Sequence, residues 1–131
     1  MSVSRATPTI LVAEDEFASL EVLALMLEAK GYSVLTASDG EEALELLRAN
    51  HVDLLITDYM MPRMSGAALC AEIERDARFS SLPVILMSAN HPDDIPPLPR
   101  VRAFFGKPLL FDALLTTVRR LVGTVEPSSK R

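Results

Sequence analysis

The amino-acid sequence predicts an α/β fold, a doubly wound parallel sheet of five strands with helices on both faces. Three observations carry this. Short apolar runs alternate with helix-period stretches along the whole chain. Three of those runs, Ile10-Leu11-Val12-Ala13, Leu54-Leu55-Ile56 and Val84-Ile85-Leu86-Met87, are apolar without a polar alternation, the pattern of strands covered on both faces. The length, 131 residues, suits one domain around one core.

The five strand candidates are Thr9–Ala13, Ser33–Ala37, Leu54–Thr57, Val84–Met87 and Ala103–Phe105. Their brevity, their Val and Ile content and the turn residues that flank them favour strands over buried helix. Over Phe17–Lys30, the residues Leu20, Leu23, Ala24 and Leu27 form one apolar stripe with Glu21 and Glu28 off it, and Gly31 follows as a helix C-cap. Glu41–Asn50 starts after Asp39 with Glu42 three residues on, a capping-box pattern. Ser65–Asp76 sets Leu69 and Ile73 four apart. Leu109–Val122 collects Phe111, Leu114, Leu115, Val118 and Val122 on one side and ends at Gly123. Between Ser88 and Phe104 stand Pro92, Pro96, Pro97 and Pro99. Each proline inside a helix costs ~3 kcal/mol or more, so an irregular segment is predicted there in place of a fourth helix.

Hydrophobic residues make up 49% and charged residues 24%, which excludes a disordered chain. A net charge of -5 argues against a nonspecific grip on nucleic acid or an anionic membrane, and Arg119-Arg120 and Lys130-Arg131 are too few for a basic footprint. The single cysteine, Cys70, rules out an internal disulfide and reads as a small core residue. Met1–Pro8 has no apolar signal core, and the run Val22–Leu27 is too short to span a bilayer. The expected location is cytoplasmic. The polar ends, 1–8 and 124–131, are expected to be mobile around one domain at 9–123.

In an open doubly wound sheet, ligands gather beyond the carboxyl ends of the strands. The residues there are Glu14-Asp15-Glu16, Asp58, Ser88 and Lys107, while Ser38 and Asp39 after the second run read as a plain helix start. Carboxylates crowded at neighbouring strand ends repel one another, and a hard divalent cation with oxygen ligands resolves that conflict. Mg²⁺ takes one or two carboxylates and uses phosphate oxygens as further ligands. Asp58 can act as a nucleophile that forms an acyl phosphate, Lys107 supplies a point charge, and Ser88 a hydroxyl donor. Taken singly, each has a bland alternative: Glu14 or Asp15 as a helix cap, Lys107 as a solvated loop lysine. Their joint placement at four strand ends favours the site. His91 with Asp93 and Asp94 reads as a solvated loop, and Met60, Met61 and Met64 as packing residues.

The segments Ile10–Glu16, Asp58-Tyr59-Met60-Met61-Pro62-Arg63-Met64-Ser65-Gly66, Met87-Ser88-Ala89 and Gly106-Lys107-Pro108 resemble the receiver domain of two-component response regulators, from about Thr9 to Val122. The resemblance implies a flavodoxin-like sheet in strand order 2-1-3-4-5. It implies Asp58 as phosphoacceptor, Asp15 as a direct Mg²⁺ ligand, Glu14 as its neighbour acting through water, and the backbone carbonyl of Met60 as a further ligand. Ser88 matches the switch hydroxyl, Lys107 the phosphate-binding lysine, and Phe104 the aromatic that reports the switch. The implied donor is a phosphohistidine on a histidine kinase or phosphotransfer protein, and the implied role is a switch that catalyses only its own phosphorylation and dephosphorylation. Glu14 departs from the aspartate common at its position. Two other classes compete. An aspartate-nucleophile phosphatase would carry a second acid two residues after Asp58, where Met60 stands. A phosphorylation-independent interaction module would have no need of Asp58, Ser88 and Lys107 together.

Overall fold

The computed structural model describes residues 7–125. Most of the two ends expected to be mobile, 1–6 and 126–131, lies outside the described residues. Five strands, β1 (Thr9–Ala13), β2 (Ser33–Ala37), β3 (Leu54–Asp58), β4 (Val84–Ser88) and β5 (Val101–Gly106), pair in parallel in the order β2-β1-β3-β4-β5. Four α-helices connect or follow them: α1 (Phe17–Ala29), α2 (Gly40–Ala49), α3 (Gly66–Glu74) and α4 (Phe111–Val122). The fold class that the sequence predicts and the strand order that the resemblance implies are those observed.

Strand residues two apart face the same side, so each central strand feeds two cores. Ile10, Val12, Leu54, Ile56, Ile85 and Met87 pack with Leu20, Leu23 and Leu27 of α1 and with Leu114, Leu115 and Val118 of α4. Leu11, Ala13, Leu55 and Val84 pack on the other face with Ala43, Leu44 and Leu47 of α2 and Leu69, Cys70 and Ile73 of α3. That is the physical reason β1, β3 and β4 read as unbroken apolar runs. Each fully buried Leu or Ile contributes roughly 1.5–3 kcal/mol, and truncating Ile56 to alanine would cost about 2–5 kcal/mol. Cys70 lies in this second core, where burial pushes its thiol up to about 11.

Several boundaries differ from the sequence expectation. β3 and β4 run one residue further, to Asp58 and Ser88, and β5 begins at Val101, because pairing with the neighbouring strand extends past the apolar run. The predicted Ser65–Asp76 helix ends at Glu74, and a 3-10 turn at Ala77–Phe79 follows, capped by Asp76. Asp39 caps α2 by accepting from the Glu42 N–H at 2.8 Å, but the reciprocal arm of the capping box goes elsewhere. Glu42 accepts instead from the N–H of Ser38 at 2.7 Å. α1 closes on Gly31 at φ +100°, a left-handed position that favours glycine. Between β4 and β5 the described chain makes one 3-10 turn at Pro92–Asp94 and no α-helix. Leu98 of that segment packs against the second core, and Arg100 bonds Glu74 at 3.0 Å and the carbonyl of Phe79.

Candidate functional site

The site grows from the carboxyl ends of β1, β3, β4 and the loop after β5. Parallel pairing sets Ala13 beside Thr57 and Asp58 beside Met87, which brings the residues that follow each strand to one edge of the sheet. The Glu14 N–H donates to the Ala37 carbonyl at 3.0 Å, holding the turn after β1 against β2. Glu14 is only 3% exposed and Asp58 6%, while Asp15 is exposed. Carboxylate oxygens of Glu14, Asp15 and Asp58 all lie within 4.8 Å of one another. Among the described residues no other group of three His, Cys, Asp or Glu could hold a metal in this way.

Glu16, third in the acidic run, is not part of the cluster. It caps α1 by accepting from the Ser19 N–H at 2.7 Å, and that hydrogen bonding holds its carboxyl below the usual range. His91, Asp93 and Asp94 make no cluster either: His91 Nδ1 accepts from the Asp93 N–H at 3.1 Å and caps the 3-10 turn.

Lys107 ties the buried acids together. Its Nζ donates to Glu14 Oε1 at 2.8 Å and to Asp58 Oδ2. Burial pushes the Glu14 carboxyl up, and the bond from Lys107 only partly opposes it, so it stands above the usual carboxylate range. Burial pulls the Lys107 ammonium down, but its hydrogen bonds to Asp58 and Glu14 outweigh this and leave it above its ordinary value. Three carboxylates faced by one ammonium retain a surplus of negative charge, which matches a hard dication with oxygen ligands.

The loop from β3 to α3 is pinned at both ends. The Tyr59 N–H donates to the Met87 carbonyl and the Gly66 N–H to the Tyr59 carbonyl, each at 2.8 Å. A Cβ on Gly66 would press into the Asp58 carbonyl oxygen and stand 3.0 Å from Tyr59 Cα. Glycine is required there by close approach. Mid-loop, Arg63 takes the left-handed φ of +65° and places Nε and Nη2 on Asp39 Oδ2 at 3.1 and 2.9 Å. Asp39 is thus more than a helix start, and its residue type gave no hint of this long-range pair. The N–H of Glu42 and the Arg63 guanidinium hold its carboxyl low. Met61 and Met64 pack against the second core, but Met60 is 61% exposed, contrary to a packing role; its N–H reaches Asp58 Oδ1 at 3.4 Å.

Ser88 ends β4 at the same edge, 1% exposed, and its carbonyl accepts from the Lys107 N–H at 3.0 Å. Its hydroxyl, however, faces Asn90: Oγ donates to Asn90 Oδ1 at 3.2 Å and accepts from the Asn90 N–H at 2.9 Å. Phe104 lies half-buried on β5 beside Leu86. Sequence reasoning thus located the four charged members and missed the Arg63–Asp39 pair and the Asn90 contact. The long-range pair left no mark in local periodicity.

A family model described as the response regulator receiver domain matches residues 10–118. A probable transcriptional regulator, ycf27, of Cyanophora paradoxa is 39% identical over 80 residues, which are 61% of this chain and 32% of that protein. The chain spans about a third of the length of the first such relatives. The receiver domain of the hybrid histidine kinase CckA is 36% identical, with a TM-score of 0.73 over 87% of this chain and 98% of its own. The response regulator TrrA of Thermotoga maritima, solved with Mg²⁺ and a beryllium fluoride group, is 31% identical, with a TM-score of 0.80 over 88% and 100%. With its sheet order, its acidic edge and a family match over most of its length, this chain belongs to the response regulator receiver domain family.

Proposed function

We propose that this chain is a phosphoacceptor switch in which Asp58 receives a phosphoryl group from a phosphohistidine. The observation that carries the reading is the buried Asp58 carboxylate, joined to Glu14 through the Lys107 ammonium, with Asp15 alongside. In the transfer, a carboxylate oxygen of Asp58 attacks phosphorus in line with the P–N bond. The acyl phosphate forms, the P–N bond breaks, and the imidazole leaves. Lys107 exchanges its hold on the Asp58 carboxylate for a phosphoryl oxygen. Glu14, Asp15, Asp58 and the Met60 carbonyl would hold Mg²⁺, which neutralises charge on the phosphoryl oxygens. Ser88 follows the new acceptor and Phe104 responds on the neighbouring strand β5. The chain performs no turnover on an outside substrate; it catalyses only its own phosphorylation and dephosphorylation.

The donor is a histidine kinase or phosphotransfer protein. A groove of about 410 Å³ runs from Glu14 and Lys107 along α1 past Val22 and Met26. Phe17, Val22, Leu25 and Leu110, exposed nearby, add apolar surface of the kind protein partners cover. The receiver unit is 9–123. A cytoplasmic location accords with a phosphohistidine donor, and among the described residues no helix is long and apolar enough to cross a membrane.

Intact-mass analysis after acetyl phosphate and Mg²⁺ tests this. One phosphoryl group on the wild type and none on Asp58→Ala is expected. Equal labelling of the two proteins refutes Asp58 as the acceptor.

A further inference from the structure

The switch hydroxyl of this chain is already engaged. Ser88 carries one hydroxyl proton, and it is given to Asn90 Oδ1 at 3.2 Å. The same oxygen accepts the Asn90 N–H at 2.9 Å, closing a small ring at the end of β4. Among the described residues, neither Asp58 nor Lys107 is a hydrogen-bond partner of the Ser88 side chain. Ser88 is 1% exposed, so water cannot readily take over the proton if Asn90 lets it go. Asn90 itself is exposed and opens the Pro-rich segment that leads to β5.

We propose that Asn90 is a positioning residue that holds the Ser88 hydroxyl in a standby orientation, so that switching requires the proton to leave Asn90 Oδ1 for a phosphoryl oxygen on Asp58. The inference rests on the phosphoacceptor reading of Asp58. A ligand shifts a two-state equilibrium only by its differential interaction with the two states. The Ser88–Asn90 bond favours the unswitched state alone and therefore subtracts from that difference. The released Asn90 side chain also frees the first residue of the segment at 90–100, which couples the event at Asp58 to that stretch of surface. Only the side-chain contact is at stake, because the Asn90 backbone N–H persists in any substitution other than proline.

The test is a double-mutant cycle read by beryllofluoride binding in excess Mg²⁺, on wild type, Asn90→Ala, Ser88→Ala and the double variant. A neutral hydrogen bond has a net worth that corresponds to roughly 2- to 10-fold in an equilibrium constant. Asn90→Ala should therefore bind the mimic tighter by about that factor in the Ser88 background and not in the Ser88→Ala background. Unchanged or weaker binding by Asn90→Ala overturns the proposal, as does equal tightening with and without Ser88, which would mark general loosening of the segment. Absence of beryllofluoride binding in every protein, with no labelling of Asp58 by acetyl phosphate, would instead refute the phosphoacceptor reading on which the proposal stands.

Discussion

Replacing Asp15 by asparagine should stabilise the metal-free protein, although it removes a candidate ligand. Asp15 has carboxylate neighbours within 4.8 Å in Glu14 and Asp58, and the only ammonium in the cluster is bound to those two. At that distance a like-charge pair costs roughly 3.5 kcal/mol at an effective dielectric constant of 20 and roughly 0.9 kcal/mol in bulk water. Asp15 is exposed, so screening places each repulsion toward the lower figure, and Lys107 offsets about one of the two. The expected gain for Asp15→Asn is about 1 kcal/mol. With a urea m-value of about 2 kcal/mol/M, the midpoint in EDTA should rise by about 0.5 M. Mg²⁺ at about ten times the wild-type dissociation constant should stabilise the wild type by ~1.4 kcal/mol and the variant far less, closing the gap. Glu14→Gln should gain less than Asp15→Asn, because it also weakens the bond from Lys107. A variant less stable than the wild type in EDTA refutes the argument, and so does a difference that Mg²⁺ leaves unchanged. Either result would mean that the acids are not held against their own repulsion for the sake of a cation.

Asp39→Ala should cost about 1–2 kcal/mol, since it removes the cap of α2 and the partner of Arg63, while Asp39→Asn keeps the cap and should cost well under half as much. Urea unfolding decides; equal costs would assign the stability to the ion pair. Gly66→Ala forces a methyl against the Asp58 carbonyl and should cost about 1–3 kcal/mol, with amide shifts at Asp58 and Tyr59 in NMR spectra. Wild-type stability and spectra would show that the close approach is not constraining. The Arg78 guanidinium beside Asp76 holds that carboxyl low, at about 2. A folded value below the unfolded one of about 3.9 means that the pair stabilises the fold above pH ~4 and loses its contribution as pH falls toward about 2. Thermal unfolding of Asp76→Asn should therefore be less pH-dependent across that window than the wild type, and an identical slope would contradict the assignment.

The sequence by itself determined the layer architecture, because burial on both faces leaves an apolar run that no solvent-facing strand or amphipathic helix produces. Ile10–Ala13, Leu54–Ile56 and Val84–Met87 announced β1, β3 and β4 for that reason, and the stripe Leu20, Leu23, Ala24, Leu27 announced α1. Glu14, Asp15, Asp58 and Lys107 were legible as site candidates because strand ends in such a sheet converge on one edge. Edge positions were harder to read. β5 is half-exposed and began two residues before its apolar core, since pairing with β4 rather than burial defines its start. Tertiary structure alone decided the partnerships of groups distant in sequence. Arg63 reaches Asp39 across 24 residues and Lys107 reaches Glu14 across 93, and neither separation leaves a periodic trace. Local rotamers are equally hidden: nothing in the sequence shows that the Ser88 hydroxyl turns to Asn90.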